Sequence, residues 1–120
     1  MGLDTTHNAW HGPYSMFGNW RKWLANKCGF NLLDMVGFGG DTEWTPELME
    51  HPLYPLLNHS DCDGELSVDE CKSVRLGLDQ KISEYNKSKD ETDYYMIERC
   101  IEFRDGCLLA IKQNKSIEFH

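Results

Sequence analysis

The chain has 120 residues, 40% of them hydrophobic, which is enough for one packed core. The formal net charge is −8, and the acidic excess is concentrated, because the stretch between Cys28 and Cys71 contains ten acidic residues and no Lys or Arg. Since phosphate backbones are bound by basic faces, this composition disfavours direct nucleic-acid binding and suits a cation or a basic partner protein.

The sequence favours a cytoplasmic protein. No apolar run approaches the roughly 20 residues of a membrane-spanning helix, and the first residues lack the basic and apolar stretches of a secretory signal. Five cysteines form an odd set without the dense spacing of a disulfide scaffold. Three of them, Cys71, Cys100 and Cys107, fall on apolar helix faces where a reduced thiol acts as a small hydrophobe. We therefore expect no membrane partner, and both a monomer and a homodimer stay open.

The N-terminal third predicts an arm followed by one helix. Residues 1–14 read as an irregular arm closed by Gly12-Pro13, and its Trp, Tyr and His content predicts packing against the first helix or a contact surface. Ser15 is a good N-cap for a helix that ends near Lys27. Its apolar face comprises Met16, Trp20, Trp23 and Leu24.

The middle of the chain predicts short elements. A helical turn is expected over 31–36, and the glycine-rich stretch 37–40 predicts a plain turn, because the Lys-Ser/Thr of a phosphate loop does not follow it. Thr45-Pro46 is a strong helix start. That helix must be short, since Pro52 and Pro55 follow, and one further turn is expected over 55–58.

Two long helices dominate the remainder. Ser67 and Glu70 form a Ser-x-x-Glu capping box, and behind it apolar residues recur every three or four positions to about Tyr85. Asp90 is the expected cap of a third long helix that runs to about Gln113. One apolar seam of this helix comprises Tyr94, Ile97, Ile101, Leu108 and Ile111, and a second comprises Met96, Cys100, Phe103 and Cys107.

Two seams predict burial of the third long helix on two sides, with a bend at Gly106. The alternating tail 116–119 predicts a short strand. The expected fold is therefore mainly α, a compact single domain over 1–120 with at most a short two-stranded pairing.

The residues His59-Ser60-Asp61-Cys62-Asp63-Gly64-Glu65-Leu66-Ser67-Val68-Asp69-Glu70 resemble the twelve-residue calcium loop of the EF-hand family. The resemblance implies side-chain oxygens from Asp61 and Asp63, a sharp turn at Gly64 and a backbone carbonyl from Glu65. It also implies that Leu66 points into the core. Ser67 would bind directly or through water, and Glu70 would bind through both carboxylate oxygens.

Two features depart from the family pattern. His59 stands at the first position, where the family has Asp, and a neutral imidazole suits zinc, copper or nickel better than calcium. The preceding helix is interrupted by Pro52 and Pro55. Three alternatives follow: a weak site for calcium or a similar divalent ion, a structural loop that binds nothing, and a transition-metal site led by His59.

An EF-hand loop usually pairs its eighth-position strand with a second loop, and this sequence contains no second loop. The tail 116–119 or a second copy of the chain is the expected partner for Leu66.

The sequence carries no local signature of catalysis. His7 and His11 are four apart, as metal ligands on one helix can be, but Gly12-Pro13 ends any helix there. The leading hypothesis is a divalent-metal, most simply Ca²⁺, binding protein. The alternatives are an acidic interaction or inhibitor protein that uses the 34–70 face, of the immunity or nucleic-acid-mimic type, and a His/Asp metal-dependent hydrolase.

Overall fold

The computed structural model describes residues 2–59 and 64–119 and is mainly α-helical, as predicted. Its strands are β1 (Gly2–Asp4), β2 (His11–Pro13), β3 (Glu65–Leu66) and β4 (Ile117–Glu118). Its α-helices are α1 (Tyr14–Lys27), α2 (Pro46–Met49), α3 (Tyr54–Leu57), α4 (Val68–Ser88) and α5 (Tyr94–Gln113). Single 3-10 turns cover Thr6–Asn8, Leu32–Asp34 and Glu91–Asp93. The radius of gyration is 13.6 Å, as expected for one packed unit of this length.

The N-terminal segment is a β-hairpin, so the prediction of an irregular arm was wrong. β1 and β2 pair antiparallel, with Leu3 opposite Gly12. Leu3 and Trp10 are buried, and the Trp10 ring lies 5.1 Å from Phe17 and 5.4 Å from Trp20 between centroids. The predicted packing against the first helix is therefore confirmed. The pairing escaped prediction because the strands have only three residues each.

The α1 helix begins at Tyr14, one residue before the predicted cap. Pro13 occupies the N-cap position with an extended backbone and no side-chain cap, so Ser15 lies inside the helix. Trp20 and Leu24 are fully buried, as the apolar face predicts.

The α4–α5 pair forms the largest helix–helix contact of the fold. The second predicted seam of α5 is buried with Cys100, Phe103 and Cys107 fully inaccessible. The first seam is divided, because Ile97 is buried and Ile111 packs against the core, whereas Tyr94, Ile101 and Leu108 are 56%, 36% and 41% exposed. The expectation that both seams are buried was therefore wrong for these three residues.

Gly106 permits a close approach to the N-terminal hairpin. It lies inside the continuous helix α5, and a Cβ there would stand 2.6 Å from the Cβ of Ala9 and 2.8 Å from its Cα. The contact with Ala9, rather than a break in the helix, explains why a residue without a side chain is needed here.

The middle segment has the short elements that its prolines predict. The Thr45 side chain caps α2 by accepting a bond from the amide of Leu48 at 3.2 Å. The glycine-rich stretch is a turn, which closes through the bond from the Val36 amide to the Thr42 carbonyl at 2.9 Å. Gly40 is required there, because a Cβ would lie 2.2 Å from the backbone of Asp34.

Candidate metal-binding loop

The loop His59–Glu70 lies between α3 and α4, and its second half has the backbone geometry that the EF-hand resemblance implies. Gly64 has φ +88°, in the left-handed region that favours glycine. The Gly64 carbonyl accepts a bond from the amide of Phe119 at 2.9 Å. β3 follows at once and pairs antiparallel with β4, so that Leu66 stands opposite Ile117.

This pairing confirms the prediction that the tail serves as the strand partner of the eighth loop position. Leu66 and Ile117 are both fully buried. The ladder therefore anchors the Gly64–Leu66 end of the loop in the core.

The capping box at the start of α4 is also confirmed. The Glu70 amide donates to the Ser67 hydroxyl at 3.1 Å, and the Ser67 amide donates to a Glu70 carboxylate oxygen at 2.9 Å. One carboxylate oxygen of Glu70 is thus held by the backbone. Because an ionised carboxylate has about four lone-pair sites on its two oxygens, this hydrogen bond leaves Glu70 with further acceptor sites.

His59, the first residue of the loop, is held by contacts that the EF-hand pattern does not contain. The His59 Nε2 lies 2.9 Å from the Glu65 carbonyl, so this nitrogen carries the proton and donates. The imidazole stacks on the ring of Phe119 with 4.2 Å between centroids. The His59 carbonyl accepts a hydrogen bond from the buried guanidinium of Arg21.

The imidazole of His59 therefore joins the first and seventh loop positions directly. In the resemblance, an ion would bridge those two positions. Here a protonated nitrogen meets the carbonyl of Glu65, and this contact supplies part of the loop closure that a bound cation supplies in an EF-hand.

The structure describes some of the predicted metal ligands and not others. Glu65 lies in β3, Ser67 is the N-cap of α4 and Glu70 lies in its first turn, whereas Asp61 and Asp63 fall outside the described residues. Within 2–59 and 64–119, no three His, Cys, Asp or Glu side chains form a group that could hold a metal ion. The described donors of the outgoing half are oxygens, the chemistry that calcium prefers.

The acidic segment before the loop presents its charge outward. Five carboxylates in this segment are exposed: Asp34, Asp41, Glu43, Glu47 and Glu50. Three large apolar side chains beside them are about half exposed: Leu33, Val36 and Met49. The segment therefore presents both negative charge and apolar side chains to solvent.

His7 and His11 do not share a face. The His7 ring contacts the Thr6 hydroxyl at 2.8 Å and the side-chain oxygen of Gln113 at 3.0 Å. The His11 ring contacts Asp4 at 2.8 Å and Asn8 at 3.3 Å. Each imidazole has its own partners, and the two side chains make no joint metal site in the described structure.

Sequence reasoning missed Arg21 and Phe119 as determinants of the loop. Arg21 is 4% exposed, and its guanidinium lies 4.6 Å from the centroid of the Phe17 ring. Phe119 is the last residue of the predicted tail strand 116–119, so its hydrophobicity was a signal of burial. Nothing in the local pattern of Arg21, between two tryptophans of α1, indicates a contact with His59.

No family model matches the chain, and neither the search of characterised proteins nor that of solved structures gave a match. Among the described helices, none combines the length and the apolar character required to cross a bilayer.

Proposed function

We propose that the His59–Glu70 loop binds a divalent cation, most simply Ca²⁺, and that the ion stabilises the fold or orders the adjacent acidic surface. The observation that carries the proposal is the geometry of the loop from Gly64 to Glu70, its outgoing half. Its positive φ at Gly64, the β pair at Leu66 and the cap at Ser67 reproduce three separate features of an EF-hand at their expected positions.

The proposed ligands follow the resemblance residue by residue. Asp61 and Asp63 would supply carboxylate oxygens, Glu65 its carbonyl, Ser67 an oxygen directly or through water, and Glu70 its carboxylate. His59 leaves the first position without a carboxylate. One missing carboxylate supports a weak site, with a dissociation constant on the order of micromolar to millimolar.

A single weak site supports a structural role rather than graded sensing. Because an ion that binds only the folded chain stabilises it by mass action, millimolar Ca²⁺ should raise the melting temperature and EDTA should reverse the increase. The experiment is a thermal melt in Ca²⁺, Mg²⁺, Zn²⁺ and EDTA, on the natural chain and on Asp63→Ala. We expect that Ca²⁺ does not raise the melting temperature of the Asp63→Ala variant.

The His59→Asp variant distinguishes calcium from a transition metal. A carboxylate at the first position should tighten Ca²⁺ binding, and it should weaken Zn²⁺ binding if the imidazole is a ligand. If neither Asp63→Ala nor His59→Asp changes a calorimetric titration with any of these ions, the loop is structural.

The exposed acidic segment supports a second candidate, an interaction protein that docks on a basic partner. Its carboxylates stand beside exposed Leu33, Val36 and Met49, and charge with apolar contact is what a specific acidic interface offers. The test is capture of a basic protein that is lost at high salt and in Glu47→Gln/Glu50→Gln but is unchanged by EDTA. Capture that needs Ca²⁺ would favour the metal proposal instead.

A further inference from the structure

A small cavity lies where the C-terminal end of α1, the last turns of α4 and the start of α5 meet. Its volume is about 200 Å³, below the range of pockets that hold drug-sized molecules. This is the space of about seven liquid waters, so the cavity admits a ligand of roughly eight to ten non-hydrogen atoms. The described ligands of the proposed metal site do not line it.

Part of the cavity lining is apolar. It comprises the indole of Trp23, the ring of Tyr85 and the buried side chain of Ile97. Trp23 and Tyr85 pack against the core but remain partly accessible. An aliphatic or aromatic group placed between these side chains would be removed from water, which favours its binding.

The ammonium of Lys81 is the deepest charge of the cavity. Lys81 is 8% exposed, and its Nζ donates to the Lys27 carbonyl at 2.9 Å and lies 3.2 Å from a carboxylate oxygen of Glu84. An ammonium has three N–H donors, and within the described structure these two groups engage two of them. A ligand oxygen in the cavity would complete the hydrogen bonding of this buried group.

Carboxylates balance the two lysines of the lining. The Nζ of Lys27 lies 2.8 Å from one oxygen of Asp93, and the Trp23 indole donates to the other oxygen at 2.9 Å. The Glu84 side chain is 56% exposed, and it keeps lone pairs that Lys81 does not use. Two ammonium groups and two carboxylates make the lining neutral overall, which suits a ligand that carries both charges.

We propose that this cavity binds a small zwitterion with an apolar side chain, a free α-amino acid of about the size of leucine. The ligand carboxylate accepts a hydrogen bond from Lys81, and the ligand ammonium donates to Glu84. The apolar side chain contacts Trp23, Tyr85 and Ile97.

Ligands with a single charge fit the same lining less well. An anion without an ammonium group would lie beside the carboxylates of Glu84 and Asp93, which repel it. A cation without a carboxylate would lie beside the ammonium groups of Lys27 and Lys81. In a partly buried place, such like-charge contacts reduce affinity, and the zwitterion offsets both of them.

The experiment is a titration of leucine into the full natural chain, followed by ligand-detected NMR in EDTA so that divalent cations take no part. For so small a ligand we expect a dissociation constant on the order of a millimolar or below. Isocaproate lacks the ammonium group and isoamylamine lacks the carboxylate. Each should bind at least about tenfold more weakly, because one charged contact is lost.

A blocking variant tests the location. Ser88 lines the cavity and is exposed, so Ser88→Trp should fill the opening without disturbing the core, and leucine binding should be lost. Ser83→Trp is the matched control, because Ser83 is exposed on the same helix outside the lining. This variant should bind leucine as the natural chain does.

A charge variant tests the orientation of the ligand. Glu84→Gln removes the proposed partner of the ligand ammonium and leaves the apolar walls in place. We expect leucine to bind about tenfold more weakly, whereas isocaproate should bind at least as well as it binds the natural chain. A merely structural effect of Glu84→Gln would weaken both ligands equally.

The proposal is overturned if leucine shows no saturable binding up to about 20 mM or if either analogue binds as tightly as leucine. Equal binding of leucine by Ser88→Trp and Ser83→Trp overturns it as well, and so does an unchanged leucine affinity in Glu84→Gln. These tests use the natural chain or exposed positions, so none requires a core substitution to fold. None of their results bears on calcium binding.

Discussion

The two halves of the His59–Glu70 loop are stabilised in different ways. We call the part that includes α3 and His59 the incoming half, and the part from Gly64 to Glu70 the outgoing half. The outgoing half has a glycine turn, a β pair and a capping box, all in the positions that the EF-hand pattern gives them. The incoming half has a four-residue helix, and His59 is held by Arg21 and Phe119.

This difference separates structure that is specified by neighbouring residues from structure that is specified by residues distant in the chain. A capping box and a positive-φ glycine are specified by residues a few positions apart. The position of His59 is specified by side chains that come from α1 and from the C-terminal tail. Changes to the outgoing half should therefore act on ion binding and on the cap, and changes to distant residues should act on the incoming half.

The largest effect should come from removing the tail that both halves share. Deletion of residues 116–120 removes buried Ile117 and Phe119 together with the β3 partner strand. We expect a loss of about 4 kcal/mol or more in the free energy of unfolding, measured by urea titration. Glu118→Ala is the matched control: its side chain is exposed, so the loss should stay within about 0.5 kcal/mol. Equal free energies of unfolding for the deleted and natural chains would show that the tail does not stabilise the fold.

Arg21→Met breaks the incoming half alone. The variant removes this donor from the His59 carbonyl and removes the guanidinium from the Phe17 and Phe38 rings, at 4.6 and 5.3 Å. We expect a loss of about 2 kcal/mol in unfolding free energy, since the lost hydrogen bond has a charged donor in a part-buried place. Lys22→Met, at the neighbouring and more exposed position of α1, should cost much less. Similar losses in the two variants would contradict a specific anchor at His59.

Ser67→Ala breaks the outgoing half alone. The hydroxyl that accepts from the Glu70 amide at 3.1 Å is lost, which typically costs about 1 kcal/mol. Ser73→Ala on the same helix is not a neutral comparison, because its hydroxyl donates to the Pro52 carbonyl at 2.7 Å. Ser88→Ala is the better control, since its hydroxyl is exposed at the helix end and its bond to Tyr85 is 3.4 Å long. A Ser67→Ala chain as stable as the control would show that the cap contributes nothing.

How far the sequence predicts this molecule follows from the same distinction. The Thr45 and Ser67 caps, the short helices enforced by proline, the end of α5 and the tail strand were all predictable, because each depends on adjacent residues. The burial of α5 was only half predictable, since periodicity identifies both apolar seams but not which one the rest of the fold covers. The contacts of His59 were not predictable, because Arg21 and Phe119 are distant in the chain.

The carboxylate of Asp93, which is remote from the loop, gives the smallest expected effect. It serves as a reference for how the stability of the fold depends on pH. Asp93 accepts from Lys27 at 2.8 Å and from the Trp23 indole at 2.9 Å, and the bonds from Lys27 and Trp23 lower its pKa below the ordinary 3.8. Its contribution is therefore complete above that value and is lost as the pH falls through the lowered pKa. Because Lys27 is partly exposed, we expect at most about 1 kcal/mol.

The Asp93→Asn variant measures that dependence. Urea midpoints between neutral pH and acid should fall less steeply below about pH 4 in the variant than in the natural chain. Glu91→Gln, which is exposed on the same turn, should follow the natural chain. If Asp93→Asn also follows it, the ion pair makes no contribution to the acid sensitivity.

The central proposal, that the His59–Glu70 loop binds a divalent cation, is tested most directly by calorimetric titration of Ca²⁺ into Glu70→Gln and Asp69→Asn. Each substitution removes one negative charge at the start of α4. Glutamine at position 70 can keep the capping box but offers no carboxylate, whereas Asp69 is 95% exposed and is no ligand in the resemblance. We predict that Asp69→Asn binds Ca²⁺ nearly as the natural chain does and that Glu70→Gln loses binding. Equal weakening of both variants, or heat-free titrations of the natural chain up to millimolar Ca²⁺, would contradict the claim and leave the exposed acidic segment as the functional surface.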